Sequence, residues 1–104
     1  MKQFLLTAII LTTVPSSVPA GQLIEKACLK AGRTGTSAAV CGCIQQVADM
    51  RLKRKDQRLA ARFFKDPHKA QVIRQSTKSS NEQFWTRYKA WGLEAEELCQ
   101  SANP

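Results

Sequence analysis

A chain of 104 residues is enough for one domain, and 16 Lys/Arg against 8 Asp/Glu give it a formal charge of +8 at neutral pH. One histidine, no glycine-rich phosphate loop and no serine–histidine–acid spacing exclude the common hydrolase and phosphotransferase constellations, so the chain reads as a non-enzyme with no cofactor. A core this small yields only a few kcal/mol of net stability, and covalent ties among its four cysteines therefore matter.

The chain opens with Lys2, an apolar run from Phe4 to Val14, and small residues at Val18 and Ala20 where a signal peptidase inspects its substrate. Residues 1–20 are expected to be a cleaved signal peptide. The apolar run is about 11 residues before Pro15, against roughly 20 for a membrane-spanning helix. The residue directly after Ala20 is Gly21 and not a cysteine, which argues against a lipid anchor. Residues 21–104 are expected to form a single disulfide-bonded helical domain, exported to the periplasm, with a charge near +7 once Lys2 is removed. No later segment is long and apolar enough to span a membrane.

Helical periodicity predicts a first helix over 23–31, with Leu23, Ala27 and Cys28 facing inward and Gly32 as its left-handed stop. After a loop at 33–36, Thr36 or Ser37 is placed to cap a second helix over 37–52. Val40, Ile44, Val47 and Arg51 form its stripe, with Cys43 and Met50 beside it. Gly42 inside that helix costs about 1 kcal/mol relative to alanine and suggests close backbone contact. Asp56 is expected to cap a third helix ending at 64 or 65, apolar along Leu59, Ala60, Phe63 and Phe64. Asp66-Pro67 restarts a short fourth helix over 67–75 that buries Ala70 and Ile73. Ser79 and Glu82 have capping-box spacing for a last helix over 81–100, with Phe84, Tyr88, Trp91, Ala95 and Leu98 on one face and a bend at Gly92. The expected fold is all-α, a small bundle of about five helices tied by two disulfides.

Cys41 and Cys43 lie two positions apart on one helix, hence about 200° apart around its axis, and cannot readily bond to each other. Each needs a partner among Cys28 and Cys99. A hairpin turning near Thr34 sets position 28 opposite 40, so Cys41 is about 1.5 Å and Cys43 about 4.5 Å out of register. That leans toward Cys28–Cys41 with Cys43–Cys99, while the exchanged pairing Cys28–Cys43 with Cys41–Cys99 stays open. Cys-x-Cys on a helix aims its sulfurs apart and suits structural zinc poorly, so no metal site is expected.

His68 follows Pro67 in the first turn of a helix and reads as a surface or interhelical residue. Glu94, Glu96 and Glu97 are placed to pair with the basic middle of the chain. From Arg51 to Lys78 there are ten Lys/Arg against two Asp. The candidate anion-binding face is Arg51, Lys53, Arg54, Lys55, Arg58, Arg62, Lys65 and Lys69. Its expected partners are an anionic membrane surface or an acidic protein. Nucleic acid is disfavoured by export and by aromatics (Phe63, Phe64, Trp85, Tyr88, Trp91) that fall on helix faces expected to be core.

The runs Ala27-Cys28-Leu29, Cys41-Gly42-Cys43-Ile44-Gln45-Gln46-Val47-Ala48-Asp49, 63–70 (FFKDPHKA) and Phe84-Trp85-x-x-Tyr88 resemble a small exported four-cysteine helical family of Rhodobacter-group alphaproteobacteria. Some members carry the label "arginine transporter". The resemblance covers nearly all of 21–104. It implies an oxidising compartment and paired cysteines, and transfers no active site. The reading is a periplasmic, non-enzymatic binding protein with a basic face for an anionic partner. The alternatives are a soluble accessory of a small-solute transport system, arginine included, with a pocket near Glu94–Glu97, or a periplasmic stress chaperone.

Overall fold

Ser37 is where the second helix is set: its hydroxyl accepts the Val40 N–H at 3.1 Å, so the helix begins with one of its orphan donors satisfied. The computed structural model describes residues 22–32 and 37–102, and the expected signal peptide and the 33–36 loop, with Thr36, lie outside them. Within the described residues the helices are α1 (Leu23–Ala31), α2 (Ala38–Arg51), α3 (Arg54–Lys65), α4 (Pro67–Arg74) and α5 (Ser79–Cys99). A 3-10 turn follows at Gln100–Ala102. No strand occurs among these residues, and the fold is a small all-α bundle. α1 packs on α2 and α3, α2 packs on α5, and α4 bridges α3 to α5.

Cys28 is bonded to Cys41 and Cys43 to Cys99, with Cα separations of 5.6 and 5.7 Å. α2 is therefore tied to α1 on one side and to the end of α5 on the other. The apolar centre joins Ile24, Val47, Ala48, Leu52, Ala60, Trp91 and Ala95, with Phe64 and Tyr88 packed on its margin. The Trp91 indole N–H donates to the Ile44 carbonyl at 3.1 Å, so its polar edge is not orphaned in the core.

A polar junction sits beside this core. Gln45 is 2% exposed and uses its whole amide. Its Oε1 accepts the Ile24 and Glu25 N–H groups at 2.7 and 2.9 Å, and its Nε2 donates to Asp49 Oδ1 and Gln57 Oε1 at 2.9 Å each. Gln57, also buried, donates to Asp49 Oδ1 at 3.2 Å and to the Leu52 carbonyl at 3.0 Å. Gln22, at the N-cap position of α1, makes no side-chain cap bond. α1 is capped instead from α2, by a side chain 21 residues away.

This junction and the disulfides fix how each helix is rolled, and the burial differs from simple apolar stripes accordingly. α1 buries Ile24 and Cys28, while Leu23 and Ala27 are half-buried. α2 buries Cys41, Gln45, Val47 and Ala48; Val40 and Ile44 are half-buried, Arg51 is exposed and Met50 is 65% exposed. The space beside Gly42 is met by the Glu25 carboxylate, 3.5 Å from where a Cβ would stand, and not by close backbone.

α3 starts three residues earlier than a cap at Asp56 requires, so Lys53 is at the N-cap position and Asp56 lies in the first turn. Asp56 and Gln57 are buried with Ala60 and Phe63, leaving Leu59 and Phe64 half-buried. Pro67 opens α4, but Asp66 makes no side-chain cap bond and α4 fully buries nothing; Ala70 and Ile73 are half-buried. α5 begins at Ser79 without the Ser79–Glu82 capping box. The Ser76 hydroxyl accepts the Lys78 N–H at 3.2 Å and Asn81 Nδ2 at 3.0 Å, which organises the turn before it. α5 runs unbroken through Gly92 and buries Phe84, Trp91, Ala95 and Cys99. Leu98 is 52% exposed, because the bond to Cys43 turns Cys99 inward in its place.

Candidate anion-binding face

Asp56 decides which cations of the basic segment are left over. It is buried at the start of α3, and a buried carboxylate needs a paired, hydrogen-bonding cation. That cation comes from α5. Arg87 Nε and Nη2 donate to Asp56 Oδ2 and Oδ1 at 2.7 and 3.1 Å, a fork-on-carboxylate pair. The hydrogen bond to Asp56 holds the Arg87 guanidinium above its ordinary range. α3 therefore keeps its own exposed cations, Arg54, Lys55, Arg58, Arg62 and Lys65, uncommitted.

Arg51 is placed differently from the rest of the expected face. It ends α2, and its Nε and Nη2 donate to the Glu94 carboxylate on α5, the latter at 3.0 Å. Hydrogen bonding from Arg51 holds the Glu94 carboxyl below its usual range, with the guanidinium charge adding to it against partial desolvation. The same bond, with the carboxylate charge, raises Arg51. Arg51–Glu94 and Arg87–Asp56 are the ion pairs among the described residues. Lys53, Arg54, Lys55, Arg58, Arg62, Lys65 and Lys69 have no carboxylate partner there; all are exposed except Lys69, which is half-buried on α4.

Two recesses flank α3. The cleft between α3 and the start of α5, about 510 Å³, brings Lys55, Arg58, Arg62 and Arg87 to Ser80, Asn81 and Gln83, with Asp56 at its base. On the other side, α1 and α3 enclose a groove of about 490 Å³. Arg62 lines both.

The aromatic side chains are occupied with one another. Phe63 meets Phe84 and Tyr88 edge-on, at centroid distances of 5.9 and 5.3 Å, and Trp85 and Trp91 flank Tyr88 at 5.0 and 5.6 Å. This cluster seats α5 against α3. His68 is exposed on α4. All four cysteines are oxidised, and no group of three or more His, Cys, Asp or Glu among the described residues could hold a metal ion.

No family model, curated protein or solved structure matches this chain.

The functional reading thus stands on the geometry. Sequence reasoning missed Arg87, whose role depends on a partner 31 residues away, and the donors Ser80, Asn81 and Gln83 that the start of α5 brings to α3. It also missed Lys26 and Lys30 on α1, which the fold sets beside Arg62 and Lys65. Their spacing of four on a short basic helix was a visible signal, but nothing in the sequence says that α1 lies along α3.

Proposed function

We propose that this protein is a non-enzymatic periplasmic binding module that holds an anionic membrane surface through the basic face of α3. The observation that supports this is the allocation of charge. α3 exposes Arg54, Lys55, Arg58, Arg62 and Lys65 with no carboxylate partner, while its own buried Asp56 is served from α5. Like charges at spacings of three and four residues repel, and an apposed anionic surface relieves that repulsion while releasing counterions. Two disulfides suit an oxidising compartment, and no helix among the described residues is long and apolar enough to cross a membrane. The transport-accessory alternative draws on Glu94 to Glu97, and Glu94 is already held by Arg51.

The test is co-sedimentation of the oxidised protein with phosphatidylglycerol-containing and purely zwitterionic vesicles across a salt gradient. Binding should be confined to the anionic vesicles and be lost as the Debye length falls from about 30 Å to about 8 Å. Lys55→Glu with Arg58→Glu should weaken it without unfolding the bundle. Absence of binding at the lowest salt discards the reading, and a thermal shift with free arginine but not with vesicles would favour the transport alternative.

A further inference from the structure

We propose that the groove between α1 and α3 receives the acyl chain of a monoacyl lipid phosphate, with Lys26, Lys30, Arg62 and Lys65 holding its head group. The proposal takes only the sign of its ligand from the anionic-surface reading above. Its floor is Leu23, Ala27 and Ala31 on α1 with Ala61 and Phe64 on α3. The α1 residues recur every four positions and form a second apolar face, one step round the helix from the buried pair Ile24 and Cys28. Every floor residue is half-buried rather than buried, so this face is apolar but not filled by the fold.

Three of the five floor residues are alanines, and their small side chains keep the groove open where leucines would close it. Its volume of about 490 Å³ is in the range of small-ligand sites. The remaining lining residues are all cations, with no carboxylate among them. An apolar floor is wasted on inorganic phosphate or a bare polyanion, and a rim of four cations disfavours a neutral or cationic ligand. The combination fits an amphiphile with one chain and an anionic head. Four cations, one of them an arginine fork, match a phosphate better than a singly charged carboxylate. The α3–α5 cleft is a useful contrast, since its apolar residues Leu59 and Phe84 are outnumbered by hydroxyl, amide and charged side chains, the Asp56 carboxylate among them.

Calorimetric titration of the oxidised protein with octyl, decyl and dodecyl phosphate below their micelle concentrations tests this. One equivalent should bind, tightening about two- to fourfold per added methylene. Amide resonances of Ala27, Ala31 and Ala61 should shift more than those of Ser80 and Gln83. Dodecanoate and inorganic phosphate should bind at least about tenfold more weakly, as should dodecyl phosphate to Lys26→Gln with Lys30→Gln. Ala27→Leu should block the groove yet leave sedimentation with anionic vesicles intact; if that variant does not fold, Ala31→Leu at the other end of the floor takes its place. Affinity independent of chain length, equal affinity for dodecanoate, or a leucine variant that folds and still binds would each overturn the proposal. Vesicle binding that is absent while dodecyl phosphate binds one-to-one sinks the surface reading and leaves the groove standing.

Discussion

Replacing Gln45 by methionine isolates the polar junction from packing, because the two side chains have similar volume and flexibility. The change removes four hydrogen bonds at once. Asp49 Oδ1 keeps its bond from Gln57, and the Glu25 N–H is only partly buried and can hydrate. Two groups are left buried without a partner, the Ile24 N–H and Gln57 Oε1. Each such orphan costs about 1–3 kcal/mol, so a loss of about 3 kcal/mol is expected after the apolar gain of methionine. For a domain of this size that lowers Tm by about 12–24 °C. Urea unfolding should show a reduced midpoint at unchanged slope, and native-state hydrogen exchange should accelerate first at the Ile24 and Glu25 amides. Adding Gln57→Leu should cost less than the two single changes summed, since one orphan is then removed with its partner. A loss under about 1 kcal/mol, or exchange that rises evenly through the bundle, would refute the claim that Gln45 caps α1.

Replacing Cys43 and Cys99 by serine should cost about 4 kcal/mol and replacing Cys28 and Cys41 about 3 kcal/mol in the loop-entropy model, read as the order of the two Tm losses. Glu94 is more acidic folded than unfolded, so its pairing with Arg51 stabilises above the ordinary glutamate range and is lost as pH falls from there through the depressed value. Glu94→Gln should flatten the Tm–pH profile in that acid window and nowhere else. Gly92→Ala should stabilise by about 1 kcal/mol, since nothing lies within 4 Å of the added Cβ, whereas Gly32→Ala, at φ 54°, should destabilise by a similar amount. Sodium chloride should raise Tm slightly at low ionic strength by screening the α3 stripe while it weakens vesicle binding; a monotonic fall in Tm would contradict the charge allocation.

The helices were legible because their signals are local. α1 has the bounds its periodicity gives, and Gly32 takes the left-handed conformation that ends it. Pro67 starts α4 for the same kind of reason. What could not be read is the roll of each helix about its axis. Leu23 and Ala27 form as good an apolar pair as Ile24 and Cys28, and only the contact with α2 chooses between them. Gln45 is the clearest case. A pattern argument turns a glutamine outward, yet the N–H groups it satisfies belong to a helix 20 and 21 residues away. The cation count was legible in the same limited way. Arg51 looks like a member of the basic stripe until Glu94, 43 residues on, is brought to it.

That pairing is also what gives the basic face its meaning. Among the described residues two carboxylates are spent on ion pairs, and in each pair the carboxylate or the arginine belongs to α5. α5 supplies Arg87 to the carboxylate buried in α3 and supplies Glu94 to the arginine that ends α2. Had Asp56 been paired by Arg58 or Lys55 on its own helix, the stripe would have been partly neutralised from within. Had Glu94, Glu96 or Glu97 reached α3, it would have been neutralised from outside. Neither occurs, because the aromatic cluster of Phe63, Phe84 and Tyr88 holds the first half of α5 against α3, while Cys43–Cys99 holds its acidic second half against α2. The second disulfide thus does more than shorten the unfolded chain. It ties the acidic end of α5 to α2, where no carboxylate of α5 pairs with a cation of α3, and the uncompensated charge on that helix follows from where the chain is tied.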